Sequence, residues 1–140
     1  MLAAILATAA CHVGGHAPFL RPDETCTPGA FRSLPLAQVC RHKERPSLPA
    51  AQRRFILVSY GVPSFGGDDG ELDHRVPFFL GGTTDRRNMW PEAGPRPNPK
   101  DDLETYVRQR VCMKRTMRLG TARALFEADW VAAYRRYRIT

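Results

Sequence analysis

The sequence predicts a small α+β protein, and three observations predict it. Between Glu71 and Glu92 two short apolar runs, VPFFL and NMW, are separated by Gly81-Gly82 and a basic loop, the layout of a small hairpin. From Pro99 to Tyr137 apolar residues recur at helical spacing. Before residue 50, Pro and Gly interrupt the chain so often that no period survives. At 140 residues and 43% hydrophobic content, one domain with a modest core is expected.

Residues 1–17, MLAAILATAACHVGGHA, are apolar with small-residue triplets such as Ala7-Thr8-Ala9. They resemble the apolar region and cleavage zone of a signal peptide, although no Lys or Arg precedes them. Lipoprotein processing at Cys11 is the alternative. The run is too short to span a bilayer as a helix, so no membrane span is expected. The expected location is secreted, periplasmic or in the cell envelope. Residues 18–49 read as an irregular Pro-rich segment with one short element near Leu34–Cys40, and His42, among Arg41, Lys43 and Arg45, as a solvated histidine.

Residues 50–140 form the expected folded unit. Ser47 is a candidate cap for a helix through Ala50–Tyr60, stopped by Gly61 and Pro63. Phe55, Ile56 and Val58 do not separate into faces, which predicts a buried helix. Residues 63–70 read as a loop, with Asp68-Asp69 as turn residues. Pro77 cannot donate to a ladder, so Val76–Leu80 is expected as an edge strand. Asn88-Met89-Trp90 starts the returning arm and Pro91 ends it. Asn98 is the expected N-cap of a helix from Pro99, with Asp101, Asp102 and Glu104 in its first turns. Leu103, Val107 and Val111, joined by Tyr106, give it one apolar face. After a break near Lys114–Thr116, a single last helix from Arg118 to Tyr137 is expected to bury Phe126, Trp130, Ala133, Tyr134 and Tyr137.

The net charge is +7, and from Glu71 onward 14 Lys and Arg face 9 Asp and Glu, so five of the seven positive charges sit in that half. This balance favours a polyanionic partner. Four cysteines at 11, 26, 40 and 112 contain no CxxC pair, which excludes a zinc ribbon and a thioredoxin-like motif.

The pattern Asp73-His74-x-x-Pro77, Gly81-Gly82, then Asn88 with two apolar residues resembles the HNH (ββα-metal, His-Me finger) endonucleases. The wider string, from Tyr60-Gly61 through the NMWPE segment to DWVAAYRRY, is similar to a secreted bacterial HNH-like subgroup. The resemblance runs from about Thr25 to Tyr137. It implies a ββα-metal hairpin–helix unit with flanking helices, and a disulfide between Cys40 and Cys112.

Phosphodiester hydrolysis needs an activated water and neutralised phosphate and leaving-group charge. Carried over by resemblance, His74 is the general base, and Asn88 is its orienter or a loop brace. Asp73 is a ligand to Mg2+ or a similar cation such as Mn2+, with Asn98 the second ligand and Asp101, Asp102 and Glu104 as oxygen alternatives. His74 is the only histidine after residue 42. Arg75, Arg86, Arg87, Lys100 and Arg108 are candidate nucleic-acid contacts. The implied activity is a metal-dependent endonuclease of low sequence specificity with no small-molecule cofactor. DNA is favoured over RNA, and the product is a 5′-phosphate. The alternatives are a catalytically idle nucleic-acid binder on the same scaffold and an envelope lipoprotein. The flanking metal-binding cysteine pairs of many HNH proteins are missing here.

Overall fold

A computed structural model describes residues 9–41, 46–65 and 69–139. Among these residues the architecture is α+β, with five α-helices and two small antiparallel sheets. No described helix is long and apolar enough to cross a membrane. The apolar residues 1–8, His42 and Asp68 lie outside the described residues.

Residues 9–17, which the sequence assigns to a leader, belong to the folded body. Strand β1 (Gly14–His16) pairs antiparallel with β2 (Phe19–Arg21). Cys11 is disulfide-bonded to Cys26, and its N–H donates to Ser59 O at 2.9 Å. A boundary at residue 17 would therefore cut through a strand pair and a disulfide. The same bond occupies the Cys11 sulfur, so that thiol is not open to lipid attachment.

Helix α1 (Leu36–Val39) lies in the irregular segment and is followed by Cys40. Helix α2 (Ala50–Ser59) has Pro49, not Ser47, at its N-cap position, with no side-chain capping bond. It is not buried all round: Ile56 and Leu57 face inward, while Phe55 and Val58 are 51% and 67% exposed. One face is enough because α2 lies over only one flank of the second sheet.

That sheet is displaced from the expected hairpin. Strand β3 is Gly70–His74 and β4 is Met89–Ala93, with Glu71 opposite Glu92, Asp73 opposite Trp90 and His74 opposite Met89. The segment expected as a strand, Val76–Leu80, is loop and a short 3-10 turn (Phe78–Leu80). Pro91 does not end β4 but sits inside it, which a two-stranded sheet tolerates because one edge carries no ladder. Two glycines close the loop. Gly81 leaves the turn at φ +93°, and a Cβ on Gly82 would lie 1.8 Å from Val76 O.

Helix α3 (Pro99–Arg108) begins as its local sequence dictates. Asn98 Oδ1 accepts from Asp101 N at 3.0 Å, Asp101 Oδ2 accepts from Asn98 N, and Pro99 occupies the first helical position. The helix continues through a π-turn at Gln109–Met113. The expected single last helix is two, α4 (Leu119–Ala128) and α5 (Trp130–Arg136). Asp129 breaks it by turning extended (φ −149°) and capping the N–H groups of Val131 and Ala132. Arg21 reaches the same carboxylate at 2.9 Å, and Trp130 Nε1 donates to Leu20 O at 2.8 Å, docking the β1–β2 hairpin.

Two cores result. One gathers Val76, Leu80, Leu103, Val107, Phe126 and Val131 between α3, α4, α5 and the loop; the other packs Cys11, Ile56, Tyr60, Met89 and Trp90 between α2 and the sheet. The second disulfide, Cys40–Cys112, ties α1 to the end of the α3 arm across a separation of 72 residues, against 15 for Cys11–Cys26. Loop-closure entropy then predicts that Cys40→Ser/Cys112→Ser costs about 4 kcal/mol and Cys11→Ser/Cys26→Ser about 3 kcal/mol. Urea unfolding of both double variants checks this; the reverse ranking would show that the longer loop is not the dominant contribution.

Candidate metal centre

Strand alternation places Glu71 and Asp73 on one face of β3, and the register sets Glu92 of β4 directly across from Glu71. One ligand oxygen from each of Glu71, Asp73 and Glu92 lies within 4.8 Å of the others. Like charges this close across a strand pair repel, so something positive must be near. Lys100, in the first turn of α3, is 1% exposed. Its Nζ lies 2.6 Å from Asp73 Oδ2 as an ion pair, though off the direction of a hydrogen bond, and donates to Glu104 Oε1 at 2.6 Å and to His74 O at 2.7 Å. Asn98 Nδ2 donates to Glu92 Oε1 at 2.8 Å.

One ammonium does not balance four carboxylates. Burial, then the Asp73 charge, pushes the Glu92 carboxyl up to about 8. Burial followed by Asp73 also raises Glu71, held back by Arg96 at 2.9 Å. Burial pulls Lys100 down, but Asp73 and Glu104 outweigh it, so the ammonium stays charged with its pKa raised. Burial pushes Glu104 up to about 7 against the pull of Lys100. Glu92 is 3% exposed, and its Oε2 has no hydrogen-bond partner. A buried carboxylate oxygen left unpaired is costly. The all-oxygen set of Glu71, Asp73 and Glu92 fits a hard divalent cation, which would engage that oxygen and relieve the repulsion.

No protein-family model, curated protein or solved structure matches this chain.

The residues singled out from the sequence separate into distinct environments. Asp73 lies in the carboxylate group. His74, next along the strand, turns elsewhere: Nε2 is 2.9 Å from Thr84 Oγ1, and its ring lies 5.8 Å from that of Phe78. Asn98 does not serve as a ligand. Its oxygen caps α3 and its amide nitrogen, a donor, faces Glu92. Asp101 Oδ2 is spent on the same capping box, Asp102 is exposed, and Glu104 pairs with Lys100.

Asn88 is a brace and touches no reacting group. Fully buried, it accepts from Val76 N (2.9 Å) and Ala30 N (3.4 Å) and donates to Val76 O (3.0 Å) and Thr83 O (2.9 Å). That set consumes the amide's capacity. Arg75 is not a phosphate contact either. It is 5% exposed, and its guanidinium donates to Thr27 O, Phe126 O and Glu127 O, satisfying carbonyls at the C-terminal end of α4. Lys100 is likewise buried within the acids rather than offered to a ligand. Arg86 and Arg87 are exposed, but Arg87 is paired with Asp85 at 2.9 Å and Arg86 lies over the Phe55 ring. Arg108 is half-buried over Phe79.

Glu71 and Glu92 were not singled out from the sequence. The signal was there: with β3 starting at Gly70, ELD at 71–73 and PE at 91–92 face each other.

Two outcomes follow. Asn88→Ala strands at least two buried backbone groups of Val76 and should cost about 3 kcal/mol in urea unfolding; a neutral result would mean the loop holds without it. For Glu92, a folded pKa raised from 4.5 toward about 8 means the folded state holds a proton that the unfolded chain has released. Its ionisation therefore removes stability as pH rises from about 4.5 through about 8. In metal-free buffer Glu92→Gln should melt near the wild type at pH 5 and above it at pH 8. Adding Mg2+ or Mn2+ at pH 8 should raise the wild-type Tm and leave the variant unmoved. Parallel curves would remove Glu92 from the site.

Proposed function

We propose that this chain is a divalent-metal-dependent endonuclease acting on phosphodiester bonds of nucleic acid, with low sequence selectivity. The observation that supports a bound cation is the buried, unpartnered Glu92 Oε2 inside a group of three carboxylates. The HNH-like pattern around Asp73-His74 supports the reaction class.

A Mg2+ or Mn2+ held by Glu71, Asp73 and Glu92 would neutralise charge on the phosphate and on the leaving 3′ oxygen. The chain's own residues supply the rest. His74 Nε2 lies 2.9 Å from Thr84 Oγ1, a contact that holds the ring in place, and its imidazole is the group that would take the proton of the attacking water. Asn88 holds the loop that follows His74 by bonding both the N–H and the carbonyl of Val76. Asn98 fixes the orientation of Glu92, and Lys100 fixes Asp73 while tying the strand to α3. Two disulfides suit an oxidising compartment, so the proposed site of action is outside the cytoplasm.

A second reading, a nucleic-acid binder without turnover, is favoured by one observation: His74 is only 4% exposed. The envelope-lipoprotein reading loses its anchor, because the Cys11 sulfur is bonded to Cys26. Supercoiled plasmid incubated with the oxidised full chain and Mg2+ or Mn2+ separates the first two. Nicking should occur, stop with EDTA, and fall about 100-fold or more in His74→Ala and Glu92→Gln. Retardation on the gel without nicking, equal in wild type and His74→Ala, would establish the binder instead.

A further inference from the structure

A cleft of about 340 Å3 opens between the α1 segment, the Phe78–Leu80 turn and α3. Arg32, Arg41 and Arg108 line it from three separate stretches of chain, together with Phe78, Asp101 and Glu104. Among the described residues none of the three guanidiniums is paired with a carboxylate, although two acids lie in the same wall. The acids point inward instead: Glu104 takes Lys100, and Asp101 closes the capping box of α3. Unpaired guanidiniums in a recess are suited to planar anions such as phosphate.

We propose that this cleft seats a single-stranded nucleic acid, with Arg32, Arg41 and Arg108 on its phosphates and one base against Phe78. The assignment rests on the nuclease reading, for which it names the substrate class and moves the backbone contacts away from Arg86 and Arg87. A duplex keeps its bases stacked inside and offers mainly backbone at its surface. It gains nothing from an aromatic ring recessed in so small a cleft, whereas a single strand turns a base into it. Phe78 is half-buried and lies against the His74 ring, so a base seated there sits beside the proposed general base. Glu104, in the cleft wall, shares Lys100 with Asp73, which places the carboxylate group at the cleft's inner side. The wall carrying Arg41 is held by Cys40–Cys112, so the recess is formed without any ligand.

Binding is measured without turnover, by fluorescence anisotropy of the oxidised full chain in EDTA. The probes are labelled oligonucleotides of about 12 nucleotides, single-stranded DNA, single-stranded RNA and the matching DNA duplex. At least one single strand should bind about tenfold tighter than the duplex. Arg32→Ala/Arg41→Ala should weaken it by about tenfold and lower the salt slope by about 1.4. Arg53→Ala/Arg54→Ala, on the exposed side of α2, removes the same charge and should change affinity less than about twofold. Duplex binding as tight as single-strand binding overturns the proposal. So does an equal loss in the Arg53/Arg54 control, or a greater loss in Arg86→Ala/Arg87→Ala. The expected binding pattern without plasmid cleavage supports the cleft and removes the nuclease reading alone.

Discussion

Lys100 is the interaction on which the rest of the centre depends. Its ammonium is buried against Asp73, Glu104 and the carbonyl of His74, so one side chain joins α3 to the last two residues of β3. Removing a charge from water is expensive unless neighbouring charges compensate, and here two carboxylates and a carbonyl dipole do. The same arrangement leaves Glu71 and Glu92 without an equal share of that charge. The lysine therefore does two opposed things: it makes an acidic interior tolerable and leaves it short of positive charge. That residual deficit is the electrostatic basis of the proposed cation site.

The loop between the strands is fixed by a different constraint, the close approach of backbone to backbone. Gly82 lies where a Cβ would strike the Val76 carbonyl, and Asn88 uses its whole amide to hold the segments that meet there. Arg75 extends the lock outward, its guanidinium gripping carbonyls of Thr27 and of the end of α4. His74 is thus held between a strand register on one side and a braced loop on the other. A histidine fixed in this way has little rotamer freedom to lose, which is the condition a proton-transfer group needs.

How far the sequence could be read depended on the range of the forces involved. The cap of α3 was legible because Asn98, Pro99 and Asp101 act on backbone within one turn. The α+β class was legible from periodicity. The strand limits were not: Val76–Leu80 looks like a strand by composition, but the braced loop takes it, and β3 lies several residues earlier. Since register decides which acids face each other, that displacement hid Glu71 and Glu92. The break at Asp129 was hidden for a related reason: its capping of Val131 and Ala132 is local, but the bond that anchors its carboxylate comes from Arg21, across 108 residues of chain. Burial of charge is the least legible property of all. Arg75 and Lys100 look like surface cations in a basic sequence, and nothing local says that each has a ready-made set of acceptors waiting inside.

This distribution of charge also explains why a chain of +7 can carry an acidic centre. Three of its positive charges, Arg75, Arg123 and Lys100, are consumed internally, the two arginines by backbone carbonyls and the lysine by carboxylates. Among the described residues the other arginines are exposed or half-buried. A polyanion approaching the protein therefore meets attraction at the rim and repulsion at the carboxylates. On the proposed reading, a divalent cation among the carboxylates would offset most of that repulsion, so electrostatics would favour the cation first and the phosphate chain second.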